Sequence, residues 1–158
     1  MVSSDSLRSI ADYHIPRYQE LPNISLYLDQ LIDITRDATR TVIDESPTGP
    51  MINNYVKLRA LPPAVSKRYS RDHLCYMIII TLLKPVFTLP QIARFFEIQR
   101  DTYLLEDAYN FFCGEFENAL KEAFSFTGKA LPCIESKRTE QTILVRSLVL
   151  AAANRIFV

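Results

Sequence analysis

Residues 70–83 read Ser-Arg-Asp-His-Leu-Cys-Tyr-Met-Ile-Ile-Ile-Thr-Leu-Leu, and they contain the longest nearly apolar run of the chain, Leu74 to Leu83. Ser70 suits an N-cap and Asp72 complements the positive end of a helix dipole, so the pattern predicts a helix beginning here. A helix that is apolar almost all round belongs at the centre of a protein core. The run is too short to cross a membrane, which takes about 20 apolar residues, and no membrane partner is expected.

The segments on either side of this core helix predict further helices rather than strands. The chain has only 3 glycines, which disfavours folds that need many tight turns. Ser25 and Pro50 mark two helix starts, and Thr88 with Gln91 forms a capping box at a third. We therefore expect an all-α fold, with helices over about 7–13, 25–35, 51–58, 70–83, 89–96, 102–126 and 139–157.

The overall composition is that of a globular protein. The chain has 158 residues, of which 48% are hydrophobic and 23% are charged. No basic and apolar leader opens the sequence, and the cysteines are odd in number and widely spaced, which predicts a cytoplasmic protein with reduced thiols. Cys75 lies on the apolar helix and reads as a small hydrophobe, whereas Cys113 and Cys133 are the candidates for a sensing role.

The sequence offers no set of residues for catalysis or metal binding. Its two histidines, His14 and His73, are far apart, and there is no Cys-x-x-Cys pair to build a zinc site. A Gly-x-Ser-x-Gly elbow and a Gly-rich phosphate loop are also missing from the sequence. We therefore expect no enzyme activity, no metal and no cofactor, and we expect His73 to help cap its own helix.

The charges are unevenly distributed along a chain of zero net charge. Residues 1–50 carry −4, residues 51–101 carry +5 and residues 102–158 carry −1. A basic middle segment is a first sign of nucleic-acid binding. The alternative is that these basic residues only solvate a surface, and charge alone favours that alternative.

The order of elements in the basic segment fits a winged helix-turn-helix. A helix over about 51–58 precedes the Pro62-Pro63 break, a basic loop over about 64–69, the core helix and a short capped helix. In such a module, a short helix presents polar side chains to the major groove and the basic loop reaches backbone phosphates.

These segments also resemble a known family. Residues 51–63 read Met-Ile-Asn-Asn-Tyr-Val-Lys-Leu-Arg-Ala-Leu-Pro-Pro, and Lys-Arg-Tyr-Ser-Arg-Asp-His-Leu and Phe-Thr-Leu-Pro-Gln-Ile-Ala-Arg-Phe-Phe follow. They resemble the DNA-binding domain of MerR-like transcriptional regulators. With Leu-Pro-Asn-Ile-Ser-Leu-Tyr-Leu-Asp-Gln at 21–30, the chain is similar to a bacterial domain-of-unknown-function family that carries this MerR-like module.

The resemblance implies a set of DNA-contacting residues. Tyr55 would meet the DNA backbone, and Asn53 or Asn54 would read a base unless it only caps or solvates its helix. Arg59 stands where the family has a glycine, and Asn53 stands where it has an arginine. The expected DNA-binding residues are Asn53, Asn54, Tyr55 and Lys57 on the helix, Lys67, Arg68 and Tyr69 in the wing, and Arg71 beside it.

The C-terminal part carries a heptad-like stripe. Its members are spaced alternately by four and three residues: Leu105, Tyr109, Phe112, Phe116, Ala119, Ala123 and Phe126. Such a seam predicts a helix that lies along a partner helix, either in the same chain or in a second copy. We expect a lead-in over 1–20, a winged helix-turn-helix domain over 21–100, and a helical extension over 101–158 that forms a homodimer.

Together these observations predict a DNA-binding transcriptional regulator that acts as a homodimer on double-stranded DNA. The alternative is a protein-interaction or ligand-sensing module that uses the same scaffold without binding DNA. The sequence identifies neither a small-molecule effector nor a target site.

Overall fold

The computed structural model describes residues 4–124 and 139–157, and within these ranges the protein is helical and contains no strand. This confirms the all-α class predicted from the sequence. A single 3-10 turn, Tyr18–Glu20, precedes α2. The helices are α1 (Ser4–Ala11), α2 (Leu28–Thr39), α3 (Gly49–Lys57), α4 (Arg71–Leu83), α5 (Leu89–Thr102), α6 (Leu105–Phe124) and α7 (Glu140–Phe157).

Helix α4 lies at the centre of the molecule, as its sequence predicts. Every residue from His73 to Leu83 is buried, and the helix packs against α2, α5 and α7. A helix without a polar face loses the most by exposure to water, so its neighbours surround it. None of the described helices is long and apolar enough to cross a membrane.

Helix α6 is the second buried element, and its partners belong to the same chain. Tyr109, Phe112 and Phe116 are at most 1% exposed because α6 packs against α1, α5 and α7. The central residues of the stripe predicted as a dimer seam are therefore covered by helices of the same chain, whereas Leu105 and Ala123 near its ends are half-buried. Phe126, the last member of the predicted stripe, lies outside the described residues.

Several helix boundaries differ from the prediction by a few residues, and two of these differences have a consequence for the fold. Helix α2 begins after Tyr27 rather than after Ser25, because Leu26 is held in an extended pairing with Tyr69 through two 2.8 Å backbone hydrogen bonds. Helix α5 continues to Thr102 instead of ending at Phe96, so the domain boundary predicted between residues 100 and 101 falls inside a helix.

The predicted first-turn Pro50 of α3 and the predicted Thr88–Gln91 capping box of α5 are present. The Thr48 hydroxyl accepts the Met51 amide at 3.4 Å, and Pro50 occupies the first turn of α3. At the start of α5, the Thr88 amide donates to Gln91 Oε1 at 2.9 Å and the Gln91 amide donates back to the Thr88 hydroxyl at 3.4 Å. These bonds use amides that have no partner within the helix, which fixes where each helix begins.

The predicted lead-in is tied down by α6. Arg17 donates two hydrogen bonds to the Glu117 carboxylate, at 3.0 and 2.7 Å. The Tyr109 hydroxyl donates to the Pro16 carbonyl at 2.7 Å, and the Tyr18 amide donates to Asn110 Oδ1 at 2.9 Å. We call residues 15–20 the N-terminal clamp, since they fasten the start of the chain across a helix that is about 90 to 100 residues away.

Candidate functional site

Helix α3 has one buried side and one exposed polar side. Ile52 and Tyr55 are 0% and 2% exposed and face the core. Asn53, Asn54 and Lys57 are exposed, and their spacing of three and four residues places them on one face of the helix. The structure therefore brings these three predicted site residues together on a surface.

Tyr55 does not belong to that surface. Its side chain is 2% exposed, and Lys84 Nζ lies 5.3 Å from the centre of its ring. The predicted contact between Tyr55 and a DNA backbone does not fit this burial, because the ring fills the core beneath α3. Helical spacing places Tyr55 on the side of Ile52, in agreement with its burial, and only the family resemblance placed it on DNA.

The end of α3 explains how an arginine replaces the expected glycine. The Ala60 amide donates to the Tyr55 carbonyl at 2.9 Å, and the Arg59 amide donates to the Val56 carbonyl at 3.0 Å. This is the Schellman arrangement, which places one residue in the left-handed region, and Arg59 has φ 60°. The turn that the family makes with glycine thus forms here with an exposed cationic side chain.

The predicted wing is a minimal hairpin. Val65 and Arg68 exchange two backbone hydrogen bonds of 3.0 Å, and the two residues between them, Ser66 and Lys67, have φ 50° and 60°. Two successive positive φ angles define a type I′ turn, which usually takes Asn and Gly. The turn places the exposed Lys67 at its tip.

Arg68 and Tyr69 leave this hairpin in different directions. The Arg68 guanidinium lies over the Tyr27 ring, 3.5 Å from its centre, and donates to the Tyr27 hydroxyl. Tyr69 is 9% exposed, and its ring meets His73 edge-on at 5.2 Å. The DNA contact predicted for Tyr69 does not fit this position, since its backbone holds Leu26 and its ring packs inward.

His73 acts as a cap, as predicted. Its Nδ1 accepts the Ser70 amide at 3.0 Å, so this nitrogen carries no proton, and Nε2 therefore donates to the Pro63 carbonyl at 3.2 Å. Both ring nitrogens are thus used to join the start of α4 to the segment that follows α3.

Arg71 is half-buried beside the hairpin. Its guanidinium lies 4.8 Å from the centre of the Tyr18 ring, and the Tyr18 hydroxyl donates to Asp72 at 2.9 Å. Burial raises the pKa of Tyr18, and the bond to Asp72 adds to that rise. Arg71 Nε is buried and has no hydrogen-bond partner among the described residues. Arg71 therefore packs on an aromatic ring and offers less of its charge to a surface ligand than Lys67 does.

Four basic residues form what we call the cationic edge: Lys57, Arg59, Lys67 and Arg68. None of them forms a salt bridge within residues 4–124 and 139–157. Elsewhere Arg17, Arg36, Arg40 and Arg94 each lie within 4.0 Å of a carboxylate. The positive charge of the edge is therefore not neutralised by the described part of the chain.

Cys75 and Cys113, the two cysteines among the described residues, are both enclosed in the core. Cys75 and Cys113 are 0% exposed, and burial raises the pKa of Cys113 to about 12. A protonated, enclosed thiol is a poor sensor, so the sensing role considered for Cys113 does not fit the structure. Cys133 lies outside the described residues. The described side chains also contain no group of His, Cys, Asp and Glu that could hold a metal ion.

A cavity of about 290 Å³ was not predicted from the sequence. It lies between the C-terminal half of α5 and the N-terminal halves of α6 and α7. Gln99 contributes the polar side chain that is most deeply buried in its α5 wall. Because the cavity is formed by three segments that are distant in sequence, no local pattern indicated it.

Fold and site together define a helical protein with a cationic edge that no carboxylate of the described residues neutralises. Residues 16–112 match the family described as Domain of unknown function (DUF1836), and the match covers most of the 158 residues, so the chain belongs to this family. The match includes the cationic edge and ends within α6. No curated protein and no solved structure matches the chain. The domain-of-unknown-function part of the resemblance is thus confirmed.

Proposed function

We propose that the protein is a DNA-binding regulator whose α3 and hairpin form a winged helix-turn-helix surface. The observation that carries this proposal is the cationic edge, in which four basic residues lack carboxylate partners in the described part of the chain. Unpaired cations cost little to bring against phosphates, because no internal ion pair has to be broken.

The order of elements supports the same proposal. Helix α2, a connection, helix α3, a two-residue hairpin and helix α4 follow one another, and the Leu26–Tyr69 bridge fastens the hairpin to the start of α2. In this arrangement the face of Asn53, Asn54 and Lys57 enters the major groove, and Lys67 reaches the phosphates beside it.

The salt dependence of DNA affinity tests the proposal directly. We expect the full chain to bind a random-sequence 30-base-pair duplex, with an affinity that falls steeply as salt rises. Lys67→Ala should reduce the slope of log affinity against log salt by about 0.9, the value for one phosphate contact. Lys121→Ala is the matched control, because Lys121 is an exposed lysine on α6. A wild-type protein that fails to bind the duplex at low salt contradicts the proposal.

Base reading by α3 requires a separate experiment. Asn54 can pair with adenine through two hydrogen bonds, which is worth about 1–3 kcal/mol of discrimination. Binding sites selected with wild type and with Asn54→Ala should differ at one or more positions. Identical sites for the two proteins, with Asn53→Ala also unchanged, would show that α3 does not read bases.

A homodimer remains part of the proposal, because such modules read paired half-sites. The buried stripe of Tyr109, Phe112 and Phe116 does not supply the interface. Sedimentation of the protein at micromolar concentration, with and without duplex, measures the assembly. We expect a dimer at least on DNA that contains two half-sites. A monomer both with and without DNA would contradict the dimer part of the proposal.

One observation favours a second candidate, a protein-interaction module. Large apolar side chains are exposed around the hairpin: Ile24 is 60% exposed, Tyr27 53%, Leu58 40% and Val65 73%. A duplex surface has no use for Val65, whereas a protein partner would. Under the DNA proposal, Val65→Ser leaves DNA affinity unchanged while Lys67→Ala lowers it. Under the second candidate, the wild-type protein does not bind the duplex at low salt.

A further inference from the structure

The hairpin between α3 and α4 presents its side chains in a register that the backbone pairing fixes. Leu26 pairs with Tyr69 in an antiparallel bridge, and Val65 pairs with Arg68 in a second one. Tyr27 therefore lies opposite Arg68, which lies opposite Val65, and directly opposite residues carry their side chains on the same face. The contact between the Arg68 guanidinium and the Tyr27 ring, 3.5 Å from its centre, agrees with this register.

The surface around this row combines exposed apolar side chains with cations. Val65 is 73% exposed, Tyr27 is 53% exposed, and Ile24, at the bend before Tyr27, is 60% exposed. Lys67 is exposed at the tip of the turn, and Arg68 is half-buried beside the tyrosine ring. We call these five residues the hairpin patch. Exposed apolar side chains with a charged rim mark contacts with proteins or membranes.

No carboxylate lies in the segments that form the hairpin patch. Residues 21–28 and 46–71 contain no Asp or Glu, whereas residues 46–71 contain five Lys and Arg. The first carboxylates beyond these segments, Asp29 and Asp72, each accept a hydrogen bond from the chain. The charge of the patch therefore complements an anionic partner.

We propose that the hairpin patch docks the protein on the surface of an anionic phospholipid bilayer. Its aliphatic side chains enter the outer acyl region, and its cations lie among the headgroup phosphates. A bilayer surface uses both kinds of side chain at once, since apolar groups enter its boundary while cations stay at the phosphates. Tyr27 suits the same boundary, because its ring is apolar and its hydroxyl is polar. A duplex would use only the cations.

The shape of the patch favours a bilayer over a protein partner. Its most exposed apolar residue, Val65, adjoins a two-residue turn, which forms a convex point rather than a groove. Specific protein interfaces bury about 800 Å² on each partner with closely matched shapes, whereas a bilayer needs no matching pocket. A few apolar side chains together with several cations are also the combination that attaches proteins reversibly to anionic membranes.

Such a contact lies on the membrane surface and needs no spanning helix. The sequence predicts no membrane partner only because Leu74 to Leu83 is too short an apolar run to cross a bilayer. A hairpin tip instead buries its apolar side chains about 5–10 Å deep, at the boundary between headgroups and acyl chains.

Vesicles test the proposal with the full chain and without DNA. We expect the protein to cosediment with vesicles made of equal parts of phosphatidylglycerol and phosphatidylcholine, and to bind them more than about tenfold more tightly than vesicles of phosphatidylcholine alone. Lys67→Ala should weaken binding about fivefold, the effect of one cation near an anionic surface. The matched control is Lys121→Ala, because Lys121 is an exposed lysine on α6.

A second pair of variants tests the apolar part of the contact. Val65→Ser should weaken vesicle binding about tenfold, because the valine side chain no longer enters the acyl region. Leu104→Ser removes a similarly exposed aliphatic side chain at the α5–α6 junction and should leave binding unchanged.

Fluorescence reads the depth of the hairpin directly, since the chain contains no tryptophan. Val65→Trp places a single fluorophore beside the turn. Its emission should shift to shorter wavelength on anionic vesicles and should be quenched by lipids that are brominated in their acyl chains. Leu104→Trp, at a similarly exposed position, should show neither change.

The proposal is overturned by any of three results. These are no cosedimentation at low salt, equal binding to vesicles with and without phosphatidylglycerol, or a vesicle-bound Val65→Trp that brominated lipids do not quench. The first would leave a protein as the partner of the patch, and the third would mean that the hairpin does not enter the bilayer. None of these measurements contains DNA, so their failure is distinct from a failure of the proposed DNA binding.

Discussion

The cationic edge and helix α6 are held in place by different forces. The edge comprises the last residue of α3 and the segment up to the hairpin, is largely exposed, and owes its shape to backbone hydrogen bonds and to three positive φ angles, at Arg59, Ser66 and Lys67. Helix α6 owes its position to burial, since Tyr109 and Phe116 have no exposed surface at all. The hydrophobic effect thus fixes one region, and local backbone geometry fixes the other.

This difference between the cationic edge and α6 indicates where the fold tolerates amino-acid substitutions. Substitutions on the edge remove charge and little packing, so under the proposed function they change the affinity for DNA and leave the fold intact. Substitutions in α6 remove packing atoms that nothing replaces, so they alter the fold itself. Non-glycine residues with positive φ cost free energy, and finding three of them in nine residues suggests that the edge is retained for its side chains.

The strongest test of this contrast is Phe116→Ala. Because Phe116 is 0% exposed, its truncation leaves a cavity in the core and should lower the free energy of unfolding by about 3–5 kcal/mol. Leu104→Ala is the control, since Leu104 is 76% exposed and should change stability by less than about 0.5 kcal/mol. Urea denaturation of both variants gives the comparison, and similar losses would show that α6 is not the buried element described here.

Raising the pH above 9 should have an intermediate effect on the free energy of unfolding. Burial raises the pKa of Cys113 from 9.0 to about 12, so above pH 9 the unfolded chain loses this proton while the folded chain keeps it. The folded state then binds more protons, and the free energy of unfolding falls by about 1.4 kcal/mol per pH unit for this group. The stabilisation is complete below pH 9 and is lost as the pH rises toward 12.

Urea midpoints at pH 8 and pH 10.5 measure this effect in wild type and in Cys113→Ser. The serine variant lacks the titrating thiol and should lose less stability over this interval than the wild-type protein. Thr81→Ser, on α4, is the matched control because it alters a buried side chain that does not titrate in this range and leaves both buried thiols in place. Equal losses in Cys113→Ser and wild type would show that the α6 thiol titrates normally and is open to solvent.

The smallest change in the free energy of unfolding is expected for substitutions on the cationic edge. Arg59→Gly relieves a φ of 60° and should raise the free energy of unfolding by about 1 kcal/mol, while it lowers DNA affinity by removing a cation. Lys57→Gly, two residues earlier and inside α3, should lower stability by about 1 kcal/mol. A gain of stability in Arg59→Gly and a loss in Lys57→Gly would support the positive φ of Arg59. A loss of stability in Arg59→Gly would contradict it.

Much of the helical architecture follows from local sequence patterns. The continuous apolar run predicts the burial of α4, and Thr88 with Gln91 predicts the start of α5, because both signals lie within a few residues. The start of α2 was predicted wrongly for the opposite reason. It depends on Leu26 pairing with Tyr69, a residue far away in the sequence.

The candidate site was less predictable than the fold. Asn53, Asn54 and Lys57 share an exposed face, as helical spacing indicates, and the same spacing groups Tyr55 with the buried Ile52, whereas the family resemblance placed Tyr55 on DNA. The stripe on α6 was equally ambiguous, since seven-residue periodicity shows that a helix has a partner and not whose chain supplies it. Gln99 looks like any surface glutamine until α6 and α7 close over it.

The N-terminal clamp also constrains how the protein is made. Arg17 and Glu117 are 100 residues apart, so closing this contact is a late event in a chain that emerges from the ribosome N-terminus first. At synthesis rates of roughly 5–20 residues per second, residues 15–20 wait on the order of 5–20 seconds for α6. During that interval Ile15, fully buried in the finished fold, has no cover from α6. The nascent chain thus passes through a period in which its first apolar residues are available to chaperones.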